Sequence, residues 1–571
     1  MKYGELFNPL KTSQREKMPG REDQTWGRAG GAVWEVDDLT KLERLLVLGS
    51  DGPTYYASAR ELTRSNGEAV LRLLDAGHGP EVVERARFIS YEGRAHRNDP
   101  ALFVLALCSA FGDKATKEAS YDALPAMART FDHLTKYLNF LEGLGKRWSY
   151  GLRRGINRLY NERSMRANIY QMLKYPQRNG WSQRDVLLKA HVIDERGRML
   201  GAVTARSAAE AERKRGESST ERGNVYRVGI GKEAYPWERE RSEDYLRAME
   251  FAGAVQAANE SRSIPEIANL VREHSLPREV LPQQLLRERE IWEALLPDMP
   301  ITALIRNLPQ ISKVGLTAPM SESTEHICSR LTDEQALKRG RVHPLTVLAA
   351  LLGYSKGSNR NLSWDVERKV VDALDAAFYA AFSAVEPSGT RTLIGLDVSA
   401  SMSAGEVSGI PNLTPRVASA ALALVTVATE PKTHVVAFTG DEGGLMGRPA
   451  VSPLEISSRE RLDDVVQRID TLPFGPTDCS LPMQYANSNN IPVESFITLT
   501  DSETWRSNTM HPMQALWGYR RKMDLESKLA TVAMVANEFS ISDPRDPGAM
   551  DFVGFGADTP AALATFFRGE A

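Results

Sequence analysis

Cysteine is scarce in this chain: there are three, Cys108, Cys328 and Cys479, and no two stand close enough in sequence to form a CxxC pair. That excludes a disulfide framework, a Cys-based zinc ribbon and dithiol redox chemistry, and leaves buried structural thiols as the expectation. Long apolar runs are missing too. The longest, Val417 to Ala428, is about half of the ~20 residues that cross a bilayer. The opening residues are too polar for a secretory signal, so the chain reads as cytoplasmic, with no membrane partner. Nor is there a shortage of hydrophobic residues: 42% hydrophobic and 25% charged exclude a disordered tail protein or a collagen-like repeat. The 571 residues exceed what one compact core holds, and length alone suggests three to four units.

The net charge of −3 hides a division. From Thr392 to the end there are 13 Lys and Arg against 22 Asp and Glu, while the preceding 391 residues hold 58 against 52. A mildly basic part is therefore followed by an acidic one, an asymmetry that marks either a nucleic-acid partner or an ordinary solvated surface. Periodicity divides the chain at about the same place. Up to about residue 390, apolar residues recur every three to four positions, as in Phe131, Leu134, Leu138, Leu141 and in Val366, Val370, Leu374, Phe378, Phe382, Val385. Such stripes seat one face of each helix on its neighbours. Asn98-Asp99-Pro100, Asn179-Gly180, Leu276-Pro277 and His343-Pro344 break them. Short connections and no strands describe a stack of antiparallel helices of the HEAT type, with a large concave surface. Two segments stand apart: a polar arm at the start, and Ala205 to Gly223, whose small and charged residues form no buried face.

Beyond about residue 388 the period becomes that of strands. Thr392 to Asp397, Thr433 to Phe438, Ser495 to Thr500, Leu529 to Met534 and Asp551 to Phe555 are short β-branched-rich runs, with helical patterns at Pro415 to Thr429, Arg459 to Ile469 and Pro482 to Asn487. The alternation indicates a parallel, doubly wound sheet, whose ligands bind beyond the C-terminal ends of the strands. At those ends lie Asp397-Val-Ser399-Ala-Ser401, Thr477-Asp478 and Asp501. An all-oxygen donor set without His or Cys selects a hard divalent cation, Mg²⁺ first, over zinc. The pattern resembles the metal-ion-dependent adhesion site of von Willebrand factor A domains, onto which Asp397, Ser399, Ser401, Thr477 and Asp501 fall by position. No motif sets a His beside a nucleophile, so the site reads as binding rather than catalytic.

The sharpest charge feature lies between Lys146 and His191, where eleven Lys and Arg meet only Glu162 and Asp185. Phosphates would dock here. Trp148, Tyr150, Tyr160, Tyr170, Tyr175 and Trp181 are interleaved with these cations; they suit stacking on unpaired bases, or else form core beneath a solvated face. Lys174 to Asp185 reads as a helix end, a turn at Asn179-Gly180 and a new helix capped by Ser182.

These stretches, with GRAGGAVWEVDDLTKLERLLVLGSDGPTYYA (27–57), KYPQRNGWSQRDVLLKAH (174–191), VHPLTVLAAL (342–351), EPSGTRTLIGLDVSASM (386–402), TDCSLPM (477–483) and FITLTDSETW (496–505), resemble the Ro autoantigen family over roughly residues 22 to 558. That family joins a TROVE module to a von Willebrand factor A domain. The resemblance implies an α helical-repeat, HEAT-like ring closed by an α/β doubly wound, Rossmann-like domain. Its boundaries here would be a flexible arm at 1–21, the TROVE module at 22–388 with a mobile insertion at 205–223, and the A domain at 389–571. It implies a non-catalytic, monomeric ring that binds small noncoding Y RNAs and the single-stranded ends of misfolded RNAs, not DNA, and works with an exoribonuclease in RNA maturation or decay. By position the RNA-contacting residues are Lys174, Arg178 and His191, with Arg184 beside them. Pro176 stands where a basic residue is expected and Gln183 where His is. The alternatives are a protein-assembly module that recruits an acidic partner through the metal site, and a nuclease.

Overall fold

The computed structural model describes residues 12–27, 30–48, 59–92, 97–175, 177–192, 243–340, 342, 344–359, 362–381, 387–403, 407, 413–440, 450–458, 460–472, 477–501, 510–534, 539–553 and 559–569. The insertion expected at 205–223 lies outside them. Phe131, Leu134, Leu138 and Leu141 are buried on the helix Phe131–Gly143, as their spacing dictates, and Val370, Leu374 and Phe378 on Arg368–Ala380; Val366 precedes that helix and is exposed, and Phe382 and Val385 lie outside the described residues. Asp113, Thr130, Ser149 and Ser164 each cap a helix by accepting a backbone N–H three residues on, each worth ~1 kcal/mol. The helices stack in two layers. Gly79–Glu92, Lys114–Met127 and Tyr150–Glu162 pack in succession, and Asp99–Phe111 packs on Phe131–Gly143 alongside them. Glycine permits the close approach in the first layer, because a Cβ on Gly151 would fall 2.6 Å from the Tyr121 ring.

This part is not free of strands. β1 (Gln24–Trp26) and β2 (Ala32–Glu35) form an antiparallel pair, and β3 (Gln177–Arg178) and β4 (Trp181–Ser182) a two-residue hairpin. They are too short to leave a period in the sequence.

The C-terminal part is a six-stranded sheet built from β5 (Thr392–Asp397), β6 (Thr433–Phe438), β7 (Val451–Leu454), β8 (Ser495–Thr500), β9 (Lys528–Ala533) and β11 (Ala549–Val553), in the order β11-β9-β8-β5-β6-β7. All pairings are parallel except that of β7, which runs antiparallel to β6 at the edge. β7 escaped sequence reasoning, as did the helices Pro512–Met523 and Thr559–Arg568. Pro453, in the middle of β7, has no N–H for a further neighbour, which fits an edge position. β5 and β8 are buried along their whole length at the centre.

The helical array touches this domain at both of its ends, so the chain closes on itself. At its start, β10 (Phe539–Ser540) extends the β1–β2 pair. The fully buried Arg44 donates to the carbonyl of Phe539 at 2.9 Å and faces Asp551 at 3.4 Å. Burial pushes the Asp551 carboxyl up to about 6, while the Arg44 charge pulls it down. At the other end of the array, Arg461 pairs with Asp372 at 2.9 Å. The arm expected to be loosely held is tied down from Thr12 onward. Gln514 exchanges hydrogen bonds with Thr12, each 3.0 Å, Gln14 donates to Asp478 at 2.7 Å, and Arg21 pairs with Asp543. Its polar side chains find buried partners on the sheet domain, and composition could not reveal that. Cys108 and Cys479 are buried as expected, while Cys328 is half-exposed. Among the described residues no helix is long and apolar enough to cross a membrane.

Candidate nucleic-acid interface and metal centre

The helix Met165–Lys174 ends at Tyr175, one residue before Pro176, where the helical conformation is disfavoured. Asn179 and Gly180 then turn the chain with φ of 50° and 85°, the left-handed pair that a two-residue hairpin requires. The hairpin is fixed to the helix Phe131–Gly143: Asn179 donates to Thr135 at 3.0 Å, and the Trp181 indole to Asn139 at 2.8 Å. Ser182 and Asp185 form a reciprocal capping box that starts the helix Gln183–Ala190. His191 closes that helix in the left-handed conformation, exposed.

Lys174 and Arg178 are brought together around one ring: the ammonium lies 5.3 Å and the guanidinium 6.0 Å from the centre of Tyr175. The Lys174 ammonium also donates to the Tyr170 hydroxyl at 3.0 Å and to Glu279 at 3.2 Å. Burial disfavours its charge, but these two partners outweigh burial and hold its pKa above the ordinary lysine value. Arg178 donates to Asp132 at 2.7 Å. Asp132 is half-buried, which tends to raise its carboxyl, yet donation from Arg178 and Lys136 keeps it below the usual carboxylate range. Arg184 and His191 are exposed at opposite ends of the next helix and do not share the Tyr175 cluster.

The interleaved aromatics divide between two roles. Tyr160 and Trp181 are core, whereas Tyr150 is 83% exposed. Gln183 is buried and accepts a hydrogen bond from the Tyr160 hydroxyl at 2.8 Å. Gln183, where the resemblance leads one to expect His, therefore faces the interior; Pro176 lies outside the described residues. Lys189, not singled out by motif, sits 4.4 Å from the centre of the Trp181 ring. Acids from outside the segment offset part of its charge: Asp122 pairs with Arg158, Asp132 with Arg178 and Glu279 with Lys174.

Asp397, Ser399, Ser401, Thr477 and Asp501 are all buried, with Asp397 and Asp501 at or just beyond the C-terminal ends of the neighbouring parallel strands β5 and β8. The Ser399 and Ser401 hydroxyls lie 2.9 Å apart, and Asp397 accepts the Ser399 backbone N–H at 2.8 Å. Three residues at the site were missed by pattern. Thr500 donates to Asp397 at 2.7 Å, Arg416 donates to the carbonyls of Val398 and Ser399 at 3.1 Å each, and Gln14 holds Asp478 beside Thr477. Burial pushes the Asp397 carboxyl above its usual range, while donation from Ser399 and Thr500 and the Arg416 charge work against it. Among the described residues no three His, Cys, Asp or Glu are placed to hold a metal ion by themselves; the candidate donor set here has two carboxylates, Asp397 and Asp501, and three hydroxyls, Ser399, Ser401 and Thr477. Its chemistry fits a hard divalent cation and suits zinc poorly.

Residues 25–353 match the TROVE domain and residues 391–567 the Ro60 vWA domain. The RNA-binding protein RO60 of Deinococcus radiodurans is 36% identical over 576 residues, spanning 99% of this chain and 98% of that protein. The RNA-binding protein RO60 of Caenorhabditis elegans is 30% identical over 609 residues, spanning 98% and 92%. The crystal structure of the Deinococcus radiodurans RO (RSR) protein is similar with a TM-score of 0.65 at 35% identity, covering 94% of this chain and 100% of that one. A TROVE domain followed by a Ro60 vWA domain, shared with relatives over nearly their full length, makes this chain a member of the Ro60 family.

Proposed function

We propose that the protein is a non-catalytic RNA-binding scaffold of the cytoplasm. It binds small noncoding Y RNAs and the single-stranded ends of misfolded RNAs, and it acts with an exoribonuclease in RNA quality control, maturation or decay. One observation carries the reading: Lys174, at the end of its helix, and Arg178, on the hairpin fixed to a neighbouring helix, present two cations around the Tyr175 ring, with Arg184 and His191 exposed at the two ends of the helix that follows. Cations bind phosphates, aromatic faces stack on bases, and a fixed backbone lowers the ordering entropy of binding. The names of the two RO60 relatives, both RNA-binding proteins, support the RNA-binding part of this reading.

In the vWA domain, Asp397, Ser399, Ser401, Thr477 and Asp501 would hold Mg²⁺, which would supply a positive site for a partner's carboxylate or for the loops themselves. The acidity of this domain separates it from the RNA surface.

The test replaces Lys174, Arg178 and His191 together by Ala. RNA that copurifies with the wild type is expected to be lost, while the protein still folds and melts cooperatively at a somewhat lower temperature, since the partners of Lys174 and Arg178 are left unpaired. Undiminished RNA recovery would refute the assignment of this surface.

A further inference from the structure

A cavity of about 350 Å³ opens beside Lys174, between the helices Met165–Lys174, Glu243–Glu260, Ile264–His274 and Ile301–Lys313. The volume lies in the ~300 to 1,000 Å³ range of small-molecule clefts, which combine apolar walls with a few convergent polar groups. Phe251, Val271, Leu295 and Met299 supply apolar wall, and Tyr170, Arg278, Glu279 and Asp298 supply the polar groups. The wall is held firmly. The guanidinium of Arg166 sits 4.9 Å from the centre of the Phe251 ring and donates to the carbonyl of His274 at 2.9 Å. Lys174 does not line the cavity, yet its ammonium is bonded to two residues that do, Tyr170 at 3.0 Å and Glu279 at 3.2 Å.

We propose that this cavity takes one nucleobase of a single-stranded RNA, swung out of the strand whose phosphate Lys174 holds. The inference rests on the RNA-binding reading above and adds a base-sized subsite to it. The lining matches a heteroaromatic ring better than an aliphatic side chain. Apolar walls and the Tyr170 ring suit its faces, the Glu279 and Asp298 carboxylates accept from ring or exocyclic N–H groups, and the Arg278 guanidinium donates to a carbonyl or ring nitrogen. The Lys174 ammonium, bonded to two lining residues, fits a ligand that arrives attached to a phosphate. Arg166 also donates to the Ser275 carbonyl at 3.4 Å, and the Ser275 hydroxyl to the lining residue Asp298 at 2.6 Å, which holds that carboxylate in place.

The experiment measures binding of a single-stranded RNA of about ten nucleotides by fluorescence anisotropy, with one abasic site moved along it. The wild type is expected to lose about tenfold in affinity when the abasic site falls at one particular position, the order of one lost base contact. Ala303→Phe, which fills the cavity from the helix Ile301–Lys313, is expected to bind the intact strand about tenfold more weakly and to lose that position dependence. Should Ala303→Phe melt early, Tyr170→Leu, which removes the aromatic face and keeps the rest of the lining, is expected to give the same loss. A wild type that binds RNA with a flat abasic profile, or variants that keep the wild-type profile, would overturn the cavity alone. A wild type that binds no RNA would overturn the underlying reading. Seating of an apolar peptide side chain instead would show as RNA binding indifferent to Ala303→Phe.

Discussion

Asp397 shows how much chemistry a single carboxylate can concentrate. It is 1% exposed, accepts from the Ser399 backbone and the Thr500 hydroxyl, and shares its surroundings with Asp501 and the buried Cys479. Burial of that thiol and the carboxylates around it push its pKa well above the usual range, which marks Cys479 as a packing residue rather than a nucleophile. A buried carboxylate with hydroxyl neighbours is the environment that a divalent cation stabilises. Mg²⁺ at about a hundred times its Kd is therefore expected to stabilise the wild type by ~2.7 kcal/mol, read as a rise in melting temperature. Asp501→Ala is expected to melt at a temperature that Mg²⁺ does not move. An equal Mg²⁺ shift in both proteins would show that the ion binds elsewhere. The five candidate donors could be named from sequence because Asp397, Ser399, Ser401 and Asp501 stand at or just after the strands β5 and β8 and Thr477 follows a Gly/Pro loop in a fixed order. Thr500, Arg416 and Gln14 were not, because they reach the site through β8, a helix and the N-terminal arm, which come together only in the fold.

Among the elements, the hairpin and the helix Gln183–Ala190 are determined by strictly local chemistry. An Asn-Gly turn and a Ser-x-x-Asp cap lie within ten residues of Lys174 or His191, so sequence alone places them. Replacing Ser182 by Ala removes half of the capping box and is expected to destabilise this helix by ~1 kcal/mol. Amide hydrogen exchange within the helix should then speed up roughly fivefold, since ~1.4 kcal/mol corresponds to a factor of ten. Unchanged protection there would mean that packing of Val186 and Leu187, rather than the cap, sets the local stability. The strands β1, β2 and β7 are the opposite case. Each has three or four residues, and β2 takes its second partner, β10, from about five hundred residues away. Period and propensity act over one window and carry no signal for such pairings.

At the scale of the molecule, closure of the chain brings its two oppositely charged parts together. The sheet domain fastens the first helices through β10 and Arg44 and the last through Arg461, so the helical surface that carries Lys174 is held in a fixed frame. The division into a helical array and a doubly wound domain was readable from the switch in period, and the basic segment from simple counting. That acids outside the segment offset part of its charge was not, because Asp122, Asp132 and Glu279 join it only through helix packing. The central claim is that RNA lies along the helix Met165–Lys174, the hairpin and the helix that follows. Ultraviolet crosslinking of the copurified RNA, with mass spectrometry of the RNA-linked peptides, tests it most directly. Adducts concentrated on peptides spanning Met165 to His191 are the predicted result; adducts confined to the vWA domain, residues 391–567, would contradict it.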